Sequence, residues 1–386
     1  MPRLTRPSPV LFLCLFVSQA AVLVLSPVLP DVARELGVST ATAGQLRSLS
    51  GLTGGATAVL LALAPRRPGL RDLLSAGAAL VAVGSALSAA APSFVLLAAA
   101  QGVAGIGIGL LVAVGIAAAG EWPPAEQRAG VLAWAIAGMP AAWIAGMPLV
   151  GAVADVSWRA AWLVPTVAAL AAVGIVRRRP ADRASSRDPG RSGAWQDPDV
   201  ARFAVGELLA NAAWASVLTY AGALLLESYD LTPAVVALGL GAMAGAMVPG
   251  TFLARRHAAR TTPALLAALT AFQAGAVVVL GGMRPAATLT LAVLAGMAFV
   301  NGWRSMVASA LGMDAAPQDR VAVMSMRAAA NQFGYLLGAA AGGLALAVAG
   351  FAGLGIALGC LFAAAVLVHA PALVPSGPPV VPEGAS

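Results

Sequence analysis

RRRPADRASSRDPGRSGAWQDPDVA, residues 177–201, is the one long polar stretch in a chain of 386 residues. Arg, Asp, Ser and Pro dominate it, and it falls at the middle of the sequence. On either side the chain is overwhelmingly apolar. AVILMFWYC make up 60% of the residues and charged residues only 10%, against about 25% charged in an average globular chain. The mean hydropathy is +0.86. So little polar skin cannot cover that much apolar surface in water. The stretch therefore reads as a cytoplasmic linker (177–201) between two membrane-embedded halves, 1–176 and 202–370, with a Pro-rich disordered tail over 371–386.

Working outward from the linker, apolar runs of about 20 residues repeat in both directions, the length a transmembrane helix needs. Twelve spans are expected: 10–30, 44–64, 72–91, 94–119, 129–153, 159–176, 203–225, 233–253, 262–282, 286–310, 321–347 and 349–370. The Arg residues test this register. With both termini inside, 17 Arg fall in cytoplasmic segments and three (Arg34, Arg159, Arg284) outside. Arg47, Arg304 and Arg327 lie in or near spans. That asymmetry orients the chain. Arg3 and Arg6 before Val10–Val17 and Ser18-Gln19-Ala20 imitate a secretory signal, but the apolar run continues to Pro30, so it reads as an uncleaved first helix.

The halves echo each other. Arg128, before span five, and Arg320, before span eleven, are 192 residues apart, while half of 386 is 193. The pairs Arg66-Arg67 and Arg255-Arg256 are 189 apart. Two matches at nearly equal offsets indicate a duplicated six-helix unit, and parallel repeats with a site between them are a transporter plan.

Composition also excludes functions. All 23 basic residues are Arg, so neither a Walker-type phosphate loop nor a Lys Schiff base can form. Cys14 and Cys360 sit in apolar runs near opposite ends of the chain and read as small buried hydrophobes. Neither His257 nor His369 lies deep in a span, and no Gly-x-Ser-x-Gly or His-Glu-x-x-His occurs. No enzyme, metal, cofactor or nucleic-acid partner is expected. The expected partners are a lipid bilayer and a small solute.

Charges inside spans carry the sharpest signal, because each costs roughly 2.5–3.5 kcal/mol near the bilayer centre on insertion scales. Glu207 is the one acid well inside a span. It lies about five residues into span seven, and Arg304 and Arg327 about six into spans ten and eleven. At about 1.5 Å per residue all three share one depth and can neutralise one another, or each can snorkel to the headgroups. Asn211, Asn301 and Asn331 extend the same faces by one turn, and Trp143 and Trp214 offer flat apolar walls. Gln19 and Gln101 are the deep amides of the N-terminal half. These residues are the candidate solute cavity. Glu207, with Asp31 in reserve, is the candidate proton-coupling carboxylate. Gly138, Pro140, Gly146 and Pro148 in span five kink the helix and thin it. Gly334, Gly338 and Gly342 in span eleven make a small-xxx-small face. Both are expected at the seam between the halves.

Several of these stretches resemble a known family. Pro27-Val-Leu-Pro30-Asp31 with Leu36-Gly-Val-Ser39 resembles the end of a first helix and its outer loop. Gln101-Gly102 with Gly105, Gly107 and Gly109 resembles a Gly-rich fourth helix. Gly146-Met-Pro148-Leu-Val-Gly151 and Ser157-Trp158-Arg159-Ala-Ala-Trp162 are similar to a fifth-helix antiporter motif and the turn after it. Asp319-Arg320, Met324-Ser325, Asn331-Gln332 and Gly334 are similar to an eleventh helix. The family is the major facilitator superfamily, and within it the twelve-helix bacterial drug:proton antiporters. The resemblance implies an all-helical multi-pass monomer in the bacterial plasma membrane, exporting small hydrophobic or amphiphilic compounds against protons. The chain departs from the pattern at Arg66, where an Asp is usual, and at Ala98, where an Arg linked to proton movement is usual. The Ala64-Pro65-Arg66-Arg67 turn is similar to the cyanate and nitroimidazole transporter branch. That keeps open uptake of a small anion, with Arg304 or Arg327 as its partner. A non-transporting membrane sensor is the remaining alternative.

Overall fold

The computed structural model describes residues 9–63, 66–180, 185–186, 198–257, 260–315 and 320–369. The expected tail (371–386) and most of the linker lie outside these residues. Of the linker, Ser185–Ser186 (β2) pair antiparallel with Arg66–Arg67 (β1). Its last residues are helical, since α10 already starts at Pro198.

Everything else regular is helix. The N-terminal group comprises α1 (Pro9–Leu23), α2 (Leu25–Glu35), α3 (Thr40–Leu63), α4 (Leu70–Ala90), α5 (Phe94–Glu121), α6 (Arg128–Ala141), α7 (Met147–Ala154), α8 (Trp158–Ala161) and α9 (Leu163–Arg177). The C-terminal group comprises α10 (Pro198–Tyr229), α11 (Pro233–Arg256), α12 (Pro263–Gly282), α13 (Ala287–Ala315) and α14 (Arg320–His369). Ten helices among the described residues are long and apolar enough to cross a membrane. The 24-residue α3 is not one of them; Gln45, Arg47, Ser48 and Ser50 dilute its apolar character. The outer faces are those of a lipid-solvated protein, with Leu60 68% and Leu367 72% exposed.

Local chemistry explains the breaks. Pro27 and Pro30 have no N–H to offer Leu23 and Ser26, so hydrogen bonding lapses between α1 and α2 while the backbone at Val24 stays helical. The helix then runs past Asp31 to Glu35. It stops where Gly37 adopts φ +66° and the N–H of Val38 reaches back to the carbonyl of Ala33 at 2.9 Å, a Schellman ending. In span five the two prolines flank a π-helical turn, Ala142–Gly146, instead of producing a simple bend. The long α14 breaks at Ala349 and at Gly350, whose φ of +60° suits only glycine.

Within the N-terminal group, α1 packs on α5, α6 and α9, and α4 packs on α5 and α9. Within the C-terminal group, α14 packs on α10 and α12, and α11 on α13. The groups meet through α3 on α14, α7 on α11 and α2 on α10. Hydrogen bonds between them gather toward one end of the bundle, called here the Asp155 end. There Asp155 accepts the N–H of Ala234 at 2.8 Å, at the start of α11, and Glu227 accepts the hydroxyl of Thr40 at 2.6 Å. Deeper in, the amide of Gln45 donates to the carbonyl of Ala339 at 3.0 Å. Toward the other end, the Arg177 end, Asn331 is exposed. It sits on α14 between the residues that meet α10 (Gly334, Gly338) and those that meet α3 (Gln332, Tyr335).

Candidate functional site

The three intramembrane charges of the C-terminal half converge. Glu207 is 0% exposed on α10, and its two carboxylate oxygens each accept from a different guanidinium. Arg304 Nη1 reaches Oε1 at 2.7 Å and Arg327 Nε reaches Oε2 at 3.0 Å. The geometry is that of two charge-assisted bonds on one carboxylate. Arg327 also donates to the Ser309 hydroxyl at 2.6 Å, and to the carbonyl and hydroxyl of Ser305 at 3.0 and 2.7 Å. Arg304 is buried, with its Nε unpartnered. The cluster ties α10, α13 and α14 together and carries one net positive charge. Neither Arg snorkels. Both donate to Glu207.

His369 at the end of α14 is buried against Gly206 and tilted on the Phe203 ring at 6.0 Å, beside this cluster. Sequence reasoning used this residue only to argue against an enzyme.

The amides divide between the two groups. Asn211 donates to the carbonyl of Glu207 at 2.8 Å. Asn301 accepts from Gln273 at 3.3 Å inside the C-terminal group. Gln101 donates to the Ser88 hydroxyl at 2.8 Å between α5 and α4, away from the seam. Gln19 accepts the indole N–H of Trp143 at 3.2 Å, tying α1 to the π-helical turn. Trp214 is buried in the core and Asn331 is exposed. Asp31, part of α2, pairs with Arg34 at 2.9 Å. It lines a cleft with Glu227 and Asp230 at the Asp155 end, between the two groups.

The small residues need a correction. A Cβ at Gly138 would strike the Phe12 carbonyl, and one at Gly146 would touch Leu23 and Phe16, so both serve packing on α1. Gly334, Gly338 and Gly342 lie against Asn211, Ala212 and Ser216 of α10. All five therefore pack within their own half. Of the residues expected at the seam Pro148 lies there, and the rest of the seam is built by others. Gly51 and Gly55 of α3 lie on the backbone of Leu336 and the ring of Phe333, and Gly343 lies on Gln45. Pro148 and Gly151 meet Gly241 and Ala237 of α11. The signal was present as Gly44, Gly51 and Gly55 on one face of α3, but the polar residues beside them hid it.

Arg47 is on that same face. It is 3% exposed, its guanidinium lies over the Tyr335 ring of α14 at 5.5 Å, and its Nε and Nη2 have no hydrogen-bond partner. Among the described residues it forms no ion pair. The sequence marked it as a charge near a span and assigned it nothing.

An all-helical, lipid-faced bundle in two groups with buried charges at their core is the build of a membrane transporter, and the chain belongs to the Major Facilitator Superfamily, whose model matches residues 11–312. It is a multi-pass membrane transporter and not an enzyme. It is 31% identical over 253 residues to the chloramphenicol resistance protein of Streptomyces lividans, across 61% of this chain and 63% of that protein. Among solved structures, the fold matches a bacterial homologue of the human lysosomal transporter Spinster, inward-facing and unoccupied, with TM-score 0.74, 14% identity and 94% of each chain covered. It also matches a D-xylose–proton symporter with TM-score 0.73, 16% identity and 94% and 96% coverage.

Proposed function

We propose that this protein exports small amphiphilic compounds from the bacterial cytoplasm across the plasma membrane, driven by protons. The observation that carries the reading is the relative named for chloramphenicol resistance. A transporter confers resistance by lowering the internal concentration of a compound, which requires outward movement. In this reading α1 with α2, α6 with α7 and α8 with α9 are each one crossing, and α14 is two, giving twelve spans in two six-helix halves. The Arg-rich end is cytoplasmic and holds both termini. The Asp155 end, where hydrogen bonds tie the two groups together, then faces outward. The chain works as a monomer.

Glu207 is a poor proton carrier in this arrangement. A proton there would leave two guanidiniums in one buried layer without an anion. We assign Glu207 a static role, holding Arg304 and Arg327 and offsetting one of their two charges. Asp31, in a charged cleft between the groups, becomes the coupling carboxylate.

The test uses inside-out membrane vesicles with chloramphenicol as the probe. An imposed pH gradient, acid inside, should drive uptake into the vesicles, and a protonophore should abolish it with ATP present. Glu207→Asp, which keeps the charge, should retain gradient dependence where it folds. Asp31→Asn should lose it. Uptake that follows ATP and ignores the protonophore overturns the proposal.

A further inference from the structure

We propose that Arg47 anchors a binding site for the compact anionic group, carboxylate in type, of a small aromatic solute. This deepens the export reading by naming a substrate class. Four observations carry it. Arg47 is an isolated cation, 3% exposed, on the face of α3 that meets α14. Two of its three guanidinium nitrogens are enclosed without a hydrogen-bond partner. The titratable side chains beside it are the phenols of Tyr335 and Tyr220, neither a carboxylate. The fold's other buried arginine, Arg304, is treated differently: it is given the carboxylate of Glu207, which it shares with the half-buried Arg327.

A buried charge with no counter-ion is costly, and its planar fork of donors matches a carboxylate in two parallel bonds. Among the described residues no anion meets it, and in this proposal the solute brings one. The aromatic part follows from the wall. The Tyr335 ring lies under the guanidinium. Tyr220 has its hydroxyl tied to the Ala339 carbonyl at 2.9 Å, which fixes its ring beside Gly44 and Gly343. The site also has a functional position. Arg47 belongs to the N-terminal group and Tyr335 to the C-terminal group, so a solute held by both must be released when α3 and α14 separate.

The experiment is thermal unfolding of purified full-length protein in a neutral detergent with salicylate, salicylamide or sodium sulfate at matched ionic strength. Salicylate should raise the Tm saturably in the unaltered protein. Salicylamide, the same ring without the charge, should raise it at least tenfold less effectively. In Arg47→Gln the salicylate affinity should fall at least tenfold, while Tyr335→Leu should weaken it and leave some anion dependence. Where Arg47→Gln does not fold, Arg47→Lys serves, with anion preference kept and affinity reduced severalfold. Equal salicylate binding by Arg47→Gln, or no saturable shift in the unaltered protein, overturns the site. An Arg47-dependent sulfate shift equal to that of salicylate overturns the aromatic class. The two proposals fail separately. Vesicles that do not move chloramphenicol sink the export reading and leave Arg47-dependent binding intact; transport with salicylate indifferent to Arg47 sinks only this inference.

Discussion

The two halves treat an arginine inside the bundle in opposite ways. In the C-terminal half, Arg304 and Arg327 share the carboxylate of Glu207, and two serines take up more of Arg327's donors. In the N-terminal half, Arg47 lies at the seam against a tyrosine ring with donors to spare. The first arrangement joins three helices of one half and asks nothing of a ligand. The second lies between halves that must part, where a permanent ion pair would resist the motion. The difference separates charge used to hold a bundle from charge held ready for a visitor.

The largest expected effect tests the closed cluster. Glu207→Gln leaves Arg304 buried with no anion, and breaking a buried pair from one side costs about 3–5 kcal/mol. Most of the folded, monodisperse protein should be lost in detergent size-exclusion chromatography. Glu207→Gln combined with Arg304→Gln should recover a substantial part, because the fully buried unpaired charge is gone while Arg327, 19% exposed, keeps its bonds to Ser305 and Ser309. Recovery no better than the single variant would mean that the cluster is not the unit described.

Arg47→Gln should do the reverse. Removing an unpaired buried cation relieves a cost, so the Tm in the absence of solute should stay level or rise. A loss like that of Glu207→Gln would erase the contrast between the halves and give Arg47 a hidden partner.

The contrast also explains what the sequence could and could not disclose. Equal depth along three helices placed Glu207, Arg304 and Arg327 in one layer, and equal depth is most of what an ion pair inside a bilayer requires. The long apolar helices were legible because hydropathy acts along the chain. Which face of a helix meets which neighbour is not written that way. Gly334, Gly338 and Gly342 have the spacing of a tight contact, but spacing does not say whether the partner is α10 or α3, and it is α10. Gln101 looked like a cavity amide until Ser88, thirteen residues back across a turn, proved to accept its proton. Arg47 was visible as a charge; its isolation is a fact of three dimensions.

A smaller effect tests whether the seam is as separable as the contrast demands. Asp155 holds the first free N–H of α11 from the opposite half, a carboxylate on the positive end of a helix. Asp155→Ala should weaken the closed end by about 1 kcal/mol, roughly a fivefold shift toward opening. Ala237 is fully buried against Gly151 at this contact. A cysteine there, in a background with Cys14 and Cys360 replaced, should react severalfold faster with an impermeant maleimide when Asp155 is Ala.

The smallest effect distinguishes bonds within the closed cluster. Ser309 accepts one hydrogen bond from Arg327 Nη1 at 2.6 Å, while Ser305 accepts through both its carbonyl and its hydroxyl at Nη2. Ser309→Ala removes one acceptor and leaves Nη1 without its bond, and Arg327 is 19% exposed, so water can replace part of the loss. The cost should be about 0.5–1.5 kcal/mol, a fall of a few degrees in Tm. Ser305→Ala should cost no more, because the backbone acceptor remains on the same nitrogen. Asn211→Ala, which loses only a bond to a helix carbonyl already used along α10, should cost least. If Ser309→Ala instead approached Glu207→Gln, Arg327 would depend on the hydroxyl more than on the carboxylate, and the neutralisation assigned to Glu207 would belong to Arg304 alone.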